Sequence, residues 1–256
     1  MLKNHDLPIP DEQQLKDRLE KARDRLEYLS LAVREKKLPV LVLVEGWGAA
    51  GKGSLIGRVI SRIDPRFFDV TSMSSPTEEE LRRPFLYRYM CAVPEAGKLA
   101  FLDSGWMDEV VRGRLRGALD EDQYQSRIRS VKHFERTLSD NGYLVLKLFL
   151  HISEKEQKRR LDKLSDDPDT AWRVSENDLW QNQHYDRCCK VFADYLFATD
   201  LPSCPWYVVD AREKKWAEVQ SLEIVCQGIE TALQKPVALQ KVWGVPSRSP
   251  LPPIPL

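Results

Sequence analysis

Residues 46–54 read Gly46-Trp47-Gly48-Ala49-Ala50-Gly51-Lys52-Gly53-Ser54. Two glycines five apart, with a lysine directly after the second, is the spacing of a phosphate-binding loop. The chemistry asks for small residues, so that backbone N–H groups can wrap a phosphate at a helix N-terminus. Lys52 would then meet the terminal phosphates as a point charge. The usual Ser or Thr after the lysine, which would hold Mg²⁺, is here Gly53, and Ser54 comes one residue late. A Gly-rich strand-to-helix turn without a ligand is the plainer alternative. The preceding aliphatic run and the helix-like stretch after the loop favour phosphate.

A second chemical element is the apolar run Leu99 to Asp103, which ends in a carboxylate. In phosphate-loop proteins such an aspartate holds the magnesium shell. The plainer alternative is that Asp103 caps the next helix. Cations gather nearby in sequence: Arg58, Arg62, Arg66, Arg82, Arg83 and Arg88, then Arg112, Arg114 and Arg116, then Lys155, Lys158, Arg159, Arg160 and Lys163. Each taken singly reads as a solvated helix face paired with acids. As a group they could line a channel for a polyanion. Trp47, inside the loop, is expected to point outward or cover a nucleotide, whereas Trp172, Trp180 and Trp206 read as packing residues. His133 and His151 have no Ser or Cys nucleophile in a known pattern, so no triad is assigned.

These groups need a scaffold. Asp11 to Lys37 reads as one long helix, with Leu15, Leu19, Ala22, Leu26, Leu29 and Val33 forming an apolar stripe. Strands are expected at Val40–Glu45, Phe67–Thr71, Leu99–Asp103, Leu144–His151 and Trp206–Asp210. Helices are expected at Lys52–Arg62, Thr77–Met90, Gln123–Ser139, Glu154–Leu164, Asp178–Phe197 and Arg212–Leu233. Alternation of this kind implies an α/β fold, a parallel sheet with helices on both faces. Three regions follow: an N-terminal helix (1–38) packing on the core, a phosphate-loop domain (39–235) with a lid at about 153–180, and a Pro-rich tail (236–256).

Composition removes other classes. Lys plus Arg is 39 and Asp plus Glu is 39, which argues against a dedicated nucleic-acid or membrane-surface binder. No apolar run approaches the ~20 residues needed to span a bilayer. Met1 to Gln14 has no apolar signal core. The five cysteines form no metal spacing and are expected reduced, in a cytoplasmic protein.

Taken together, these segments resemble the second family of polyphosphate kinases, over about residues 10 to 233. The family loop reads like G-x-D-A-A-G-K-G. Pro76 to Glu80 and Pro84 to Arg88 are similar to the segment before the family's second strand motif, and Pro94 and Gly97 match its turn. Lys147 to Arg160 resembles its fourth strand and lid opening. Asp167, Pro168, Trp172, Arg173, Ser175 and Asp178 match its lid pattern, and Pro205, Trp206 and Lys214 its last strand region. The resemblance implies a P-loop kinase-like three-layer sandwich with a helical lid. It also implies Mg²⁺, and phosphoryl transfer between inorganic polyphosphate and a nucleoside mono- or diphosphate. By it, Lys52, Asp103 and Arg114 would be catalytic, with Asp103 the metal ligand. Residues 46–54, Arg88, Lys155 and Arg159 would contact phosphates or nucleotide. A homo-oligomer or a partner domain of the same family is expected.

The departures lie at the chemistry. The family's loop aspartate is Gly48 here; two arginines after the strand carboxylate are Ser104 and Glu109; a glutamate is Gly113, while Arg114 stays. A glutamate where an arginine held phosphate repels it. The pattern resembles the altered half of two-domain polyphosphate:AMP phosphotransferases, with the tail suited to a linker. The expectation is therefore a transferase of weakened activity. Alternatives are a degenerate relative acting as a phosphate-binding, regulatory or assembly partner, and an ATP-dependent small-molecule kinase, which the lid disfavours.

Overall fold

The computed structural model describes residues 8–73 and 75–234, so the expected Pro-rich tail lies outside the described residues. Strand β1 (Val40–Gly46) is aliphatic and almost wholly buried, as a parallel strand covered on both faces must be. Around it lie β2 (Phe68–Ser72), β3 (Leu99–Asp103), β4 (Leu144–His151) and β5 (Trp206–Asp210). The sheet order is β2-β3-β1-β4-β5, and every pairing is parallel. Because β3 and β4 flank β1, the chain leaves β1 and β3 in different directions. Ligand crevices of open α/β sheets form at such a switch point, beyond the strands' C-terminal ends.

Helix α1 (Glu12–Glu35) is capped by Asp11, whose carboxylate accepts the Gln14 N–H at 2.8 Å. Its six-residue apolar stripe is buried. The stripe packs on α10 (Lys214–Leu233). Ion pairs Glu12–Lys215, Arg18–Glu223 and Arg25–Glu230 advance together along the two sequences, so the two helices run parallel.

Helix α2 (Lys52–Val59) follows the loop, and a 3₁₀ turn, Ile60–Arg62, replaces the last turn of the expected helix. The helix expected at Thr77–Met90 is two single turns, α3 (Glu78–Leu81) and α4 (Tyr87–Met90). Pro84 separates them, since proline disfavours helical backbone before it. Helix α6 (Glu121–Asp140) precedes β4, and α7 (Glu154–Asp166) follows it. The single helix expected at Asp178–Phe197 is broken at His184 into α8 (Glu176–Gln183) and α9 (Tyr185–Ala198).

Sequence reading gave no range to α5 (Trp106–Leu115), the helix after Asp103. Its N-cap is Gly105, which has no side chain, so the local start signal is absent. The cap comes from β1. Oε1 of the buried Glu45 carboxyl group accepts the N–H groups of Gly105 (2.9 Å), Met107 (3.1 Å) and Asp108 (3.4 Å). Asp103 is therefore not the cap of this helix, which removes the plain alternative for its carboxylate.

Candidate functional site

The loop leaves β1 at Gly46, whose φ of 137° favours glycine. A Cβ there would stand 2.3 Å from the Leu150 carbonyl oxygen of β4. Ala49 and Gly51 also adopt positive φ, and the left-handed Gly51 opens α2. Succession of these turns curls the backbone toward the α2 N-terminus, as a phosphate cradle requires. Lys52 Nζ lies 3.3 Å from the Trp47 carbonyl and 3.5 Å from that of Gly46, folded along the loop's rim.

Asp103 ends β3, paired with Val44 of β1 and Ser72 of β2. Its carboxylate reaches the first turn of α2. A Cβ at Gly53 would meet Asp103 Oδ2 at 2.8 Å. The loss of Ser or Thr at position 53 thus has a packing reason: the carboxylate uses that room. Burial pushes the Asp103 pKa up, and the Lys52 ammonium opposes it. A partly buried carboxylate next to a phosphate cradle gains from a cation. Mg²⁺ needs only one or two carboxylates beside substrate phosphates and water, so the hard oxygen donor at Asp103 fits it.

Trp47 corrects the expectation. Its ring is buried, stacked on Tyr185 at 4.0 Å and edge-on to Phe192, and its Nε1–H donates to His151 Nδ1 at 3.2 Å. It anchors the loop to α9 from below and covers no nucleotide. Trp172 corrects in the other direction: it is exposed, not a packing residue. Trp180 stacks on His184 beneath the Arg116 guanidinium, and Trp206 is buried.

Most of the expected basic channel is paired. Arg58 meets Glu218, Arg62 meets Glu20 and Asp24, Arg66 meets Asp64, Arg83 meets Glu79 and Arg112 meets Asp108. Among the named site residues, Arg114 pairs with Glu121 and lies over the Tyr124 ring, while Arg159 pairs with Glu156 at 2.8 Å. Arg88 is largely buried, 3.6 Å from Glu80. Lys155 lies exposed on α7, and Ser54 Oγ accepts from Arg58 at 2.6 Å rather than from the loop. Glu109 accepts the Tyr89 hydroxyl at 2.9 Å. Lys52 and Asp103 are the pair brought together at the loop; Lys155 and Arg159 sit on the helix above it.

Arg160, expected only as one of a group of channel cations, and three residues that sequence reading did not single out hold the loop. Arg160 donates to the carbonyls of Ala49 (3.3 Å), Ala50 (3.1 Å), Ala211 (2.6 Å) and Arg212 (3.1 Å). Gln157 Nε2 donates to the Gly48 carbonyl at 3.3 Å, and the Gly48 N–H donates to Gln181 Oε1 at 3.0 Å. Asn182 of α8 donates to Gln157 Oε1 of α7 at 3.2 Å, bridging the two helices. The sequence signal was faint: Gln157, Arg160 and Leu161 share one face of α7, and two of the three are polar. Arg160 thus ties back the carbonyls of Ala49 and Ala50.

Known proteins resemble this chain in sequence and fold. The profile of the polyphosphate kinase 2 (PPK2) family matches residues 10–236. A polyphosphate:AMP phosphotransferase of Pseudomonas aeruginosa is 31% identical over 200 residues, covering 78% of this chain and 40% of that protein. An AMP/ADP-polyphosphate phosphotransferase of Meiothermus ruber is 34% identical over 193 residues, covering 75% of this chain and 72% of that protein. The crystal structure of a polyphosphate kinase 2 from Arthrobacter aurescens superimposes with a TM-score of 0.84 at 26% identity, covering 93% of this chain and 85% of that one. The chain thus spans about two fifths of the length of the Pseudomonas relative. No helix among the described residues is long and apolar enough to cross a membrane. From its profile, its relatives and its phosphate loop alike, the chain belongs to the polyphosphate kinase 2 family.

Proposed function

We propose that this chain transfers phosphoryl groups between inorganic polyphosphate and a nucleoside mono- or diphosphate, at low turnover. The observation that carries the reading is the meeting of Lys52 and Asp103 at the phosphate loop, at the switch point of the sheet. Loop N–H groups and the α2 N-terminus hold one phosphate, and Lys52 swings off the loop carbonyls to neutralise the transferring group. Asp103 would hold Mg²⁺, which when bound supplies charge neutralisation and a clamp on phosphate oxygens. Gln157, Gln181 and Arg160 keep the loop in register, since phosphoryl transfer asks mainly for positioning and charge. Arg88 and Arg114 serve phosphates only by changing their present partners, Glu80 and Glu121. The names of the Pseudomonas and Meiothermus relatives support the substrate class.

A second reading, a non-catalytic phosphate-binding partner, has its own observation. Gly48 is buried under the lid, with its N–H already used by Gln181. One assay separates the readings: purified protein with polyphosphate, Mg²⁺ and each of AMP, ADP, GMP and GDP, watching nucleotide products. Transfer above a Lys52→Ala control supports the enzyme. Polyphosphate binding with no product from any nucleotide supports the partner.

A further inference from the structure

Helix α5 ends at Leu115, and the next residue, Arg116, reaches α8. Its Nη2 donates to Asn177 Oδ1 at 3.2 Å, and its Cζ stands 4.3 Å from the centre of the Trp180 ring. His184 stacks on the same ring, with centroids 4.3 Å and planes 18° apart. Arg187, in the first turn of α9, comes to that ring as well. Its Nη2 donates to the Leu115 carbonyl at 3.1 Å, and its Cζ lies 5.9 Å from the Trp180 centroid. One indole therefore gathers two guanidiniums from different elements. Both also bear on the buried Cys188 thiol, where their positive field opposes the upward push of burial.

Neither cation is neutralised. Arg112 and Arg114, one turn earlier, are paired with Asp108 and Glu121. Arg116 and Arg187 are exposed and have no acid in ion-pair contact among the described residues, although Asp186 is next to Arg187 in sequence. A guanidinium carries five donors in a planar fork that matches phosphate oxygens. Each of these two makes one hydrogen bond among the described residues, so most of each fork is open to an anion. The phosphate loop is close by. Gln181, one residue beyond Trp180, accepts the Gly48 N–H, so α8 touches both places. The ligand chemistry is phosphate without a base, because His184 and Arg116 cover the Trp180 ring and leave no face for a nucleobase. A polymer of phosphates, with charge repeating along its length, suits such a site better than a nucleotide does.

We infer that Arg116 and Arg187 form a second phosphate subsite, beside α8, that holds the donor polyphosphate chain beyond the loop. The inference rests on the phosphoryl-transfer reading for its polymer, while its measurement needs no turnover. A short chain meets the loop alone, and a long chain meets loop and subsite together. Affinity should therefore rise with chain length, and the added part should be the more sensitive to salt.

The test is calorimetric titration with tripolyphosphate, long-chain polyphosphate and ADP over a series of salt concentrations. The proteins are the wild type, Arg116→Gln/Arg187→Gln and Arg116→Lys/Arg187→Lys. The Gln pair should lose about tenfold or more in long-chain affinity at low salt, and keep wild-type affinity for tripolyphosphate and ADP. Its slope of log affinity against log salt should be shallower by about 1.4, at about 0.7 per cation on a single strand. The Lys pair keeps the charge without the planar fork and should keep the wild-type slope. Each single Gln variant should show about half the slope change, so the reading survives a double variant that urea unfolding finds unfolded. Wild-type long-chain affinity and slope in the Gln variants overturn the inference. A wild type that binds the long chain no tighter than tripolyphosphate overturns it too. Equal proportional losses of tripolyphosphate and long chain assign the arginines to seating α8 on the loop, and a loss confined to ADP assigns them to the nucleotide; either result overturns the subsite. Long-chain binding that needs both arginines, with no nucleotide product in the transfer assay, overturns the proposed activity and leaves the subsite standing.

Discussion

Lys147→Met should be among the most damaging single changes to this fold. Lys147 Nζ donates to Glu135 Oε2 at 2.8 Å and to the Thr199 carbonyl at 2.7 Å, and neither charged side chain has any accessible surface. Glu135 Oε1 in turn accepts the indole N–H of Trp106 at 3.0 Å. Trp106 opens α5, three residues beyond Asp103, so the pair stands behind the site. Removing the lysine leaves a buried carboxylate without a counter-ion, which costs about 3–5 kcal/mol. At about 2–4 °C per kcal/mol for a chain of this size, the melting temperature should fall by about 6–20 °C. Burial already pushes the Glu135 pKa up, and Lys147 opposes that. Without Lys147 the folded state keeps its proton to higher pH than the unfolded chain does. The deficit should therefore grow as pH rises above the ordinary glutamate range and shrink toward it. Adding Glu135→Gln removes the orphaned charge but keeps an acceptor for Trp106. The double variant should be more stable than Lys147→Met alone, with only the Thr199 carbonyl unpaired at about 1–3 kcal/mol. Urea unfolding of the four proteins of the cycle measures this. A Lys147→Met midpoint equal to wild type, or a double variant no better than the single, would refute the argument.

Three further outcomes are expected. Lys52→Ala should weaken tripolyphosphate binding about ten- to a hundredfold by calorimetry, since one charged hydrogen-bonding group is lost, and the wild-type affinity should fall with salt; equal affinities at low salt count against the loop as phosphate site. Gly46→Ala should destabilise by about 2–6 kcal/mol, combining left-handed strain with overpacking against the β4 backbone, which cannot swing aside; a urea midpoint near wild type would show that the loop re-forms elsewhere. Burial and the nearby Asp108 push the Glu45 carboxyl up to about 8, against the pull of Lys52. The unfolded chain ionises Glu45 near 4.5 while the folded one keeps the proton, so stability should decline as pH rises between those values, and Glu45→Gln should flatten that slope. An unchanged slope in the variant places the titration elsewhere.

Much of the scaffold was legible because its signals are local. The aliphatic run of β1, the stripe of α1 and the Gly46-to-Lys52 spacing each lie within one short stretch of chain, and steric or periodic rules act at that range. Lys52 and Asp103 were legible as types, one after the loop that follows β1 and the other at the end of β3. Their meeting follows once β1 and β3 pair, in a register that sets Val44 beside Asp103. Helix α5 was illegible because its cap sits on Glu45, some sixty residues earlier in the chain.

What the sequence by itself determined, then, is a parallel α/β scaffold with a phosphate loop after one strand and a carboxylate at the end of another. Only the tertiary structure decided which way the loop's side chains face and who holds it. Trp47 turns inward because Tyr185 and Phe192 offer it an aromatic box. The arginines that look like a polyanion channel in sequence are mostly paired with acids, some within one helix, as Arg112 to Asp108, and some across the fold, as Arg58 to Glu218 and Arg62 to Glu20. Gly48, which reads in sequence as a lost carboxylate, packs against the Asp178 carboxylate of α8. The physical reason is range. Loop residue 48 is bonded to Gln157 and Gln181, more than a hundred residues away in the chain. Side-chain direction and ion pairing are set by whichever groups the fold brings within a few ångströms, and no local pattern encodes that partner.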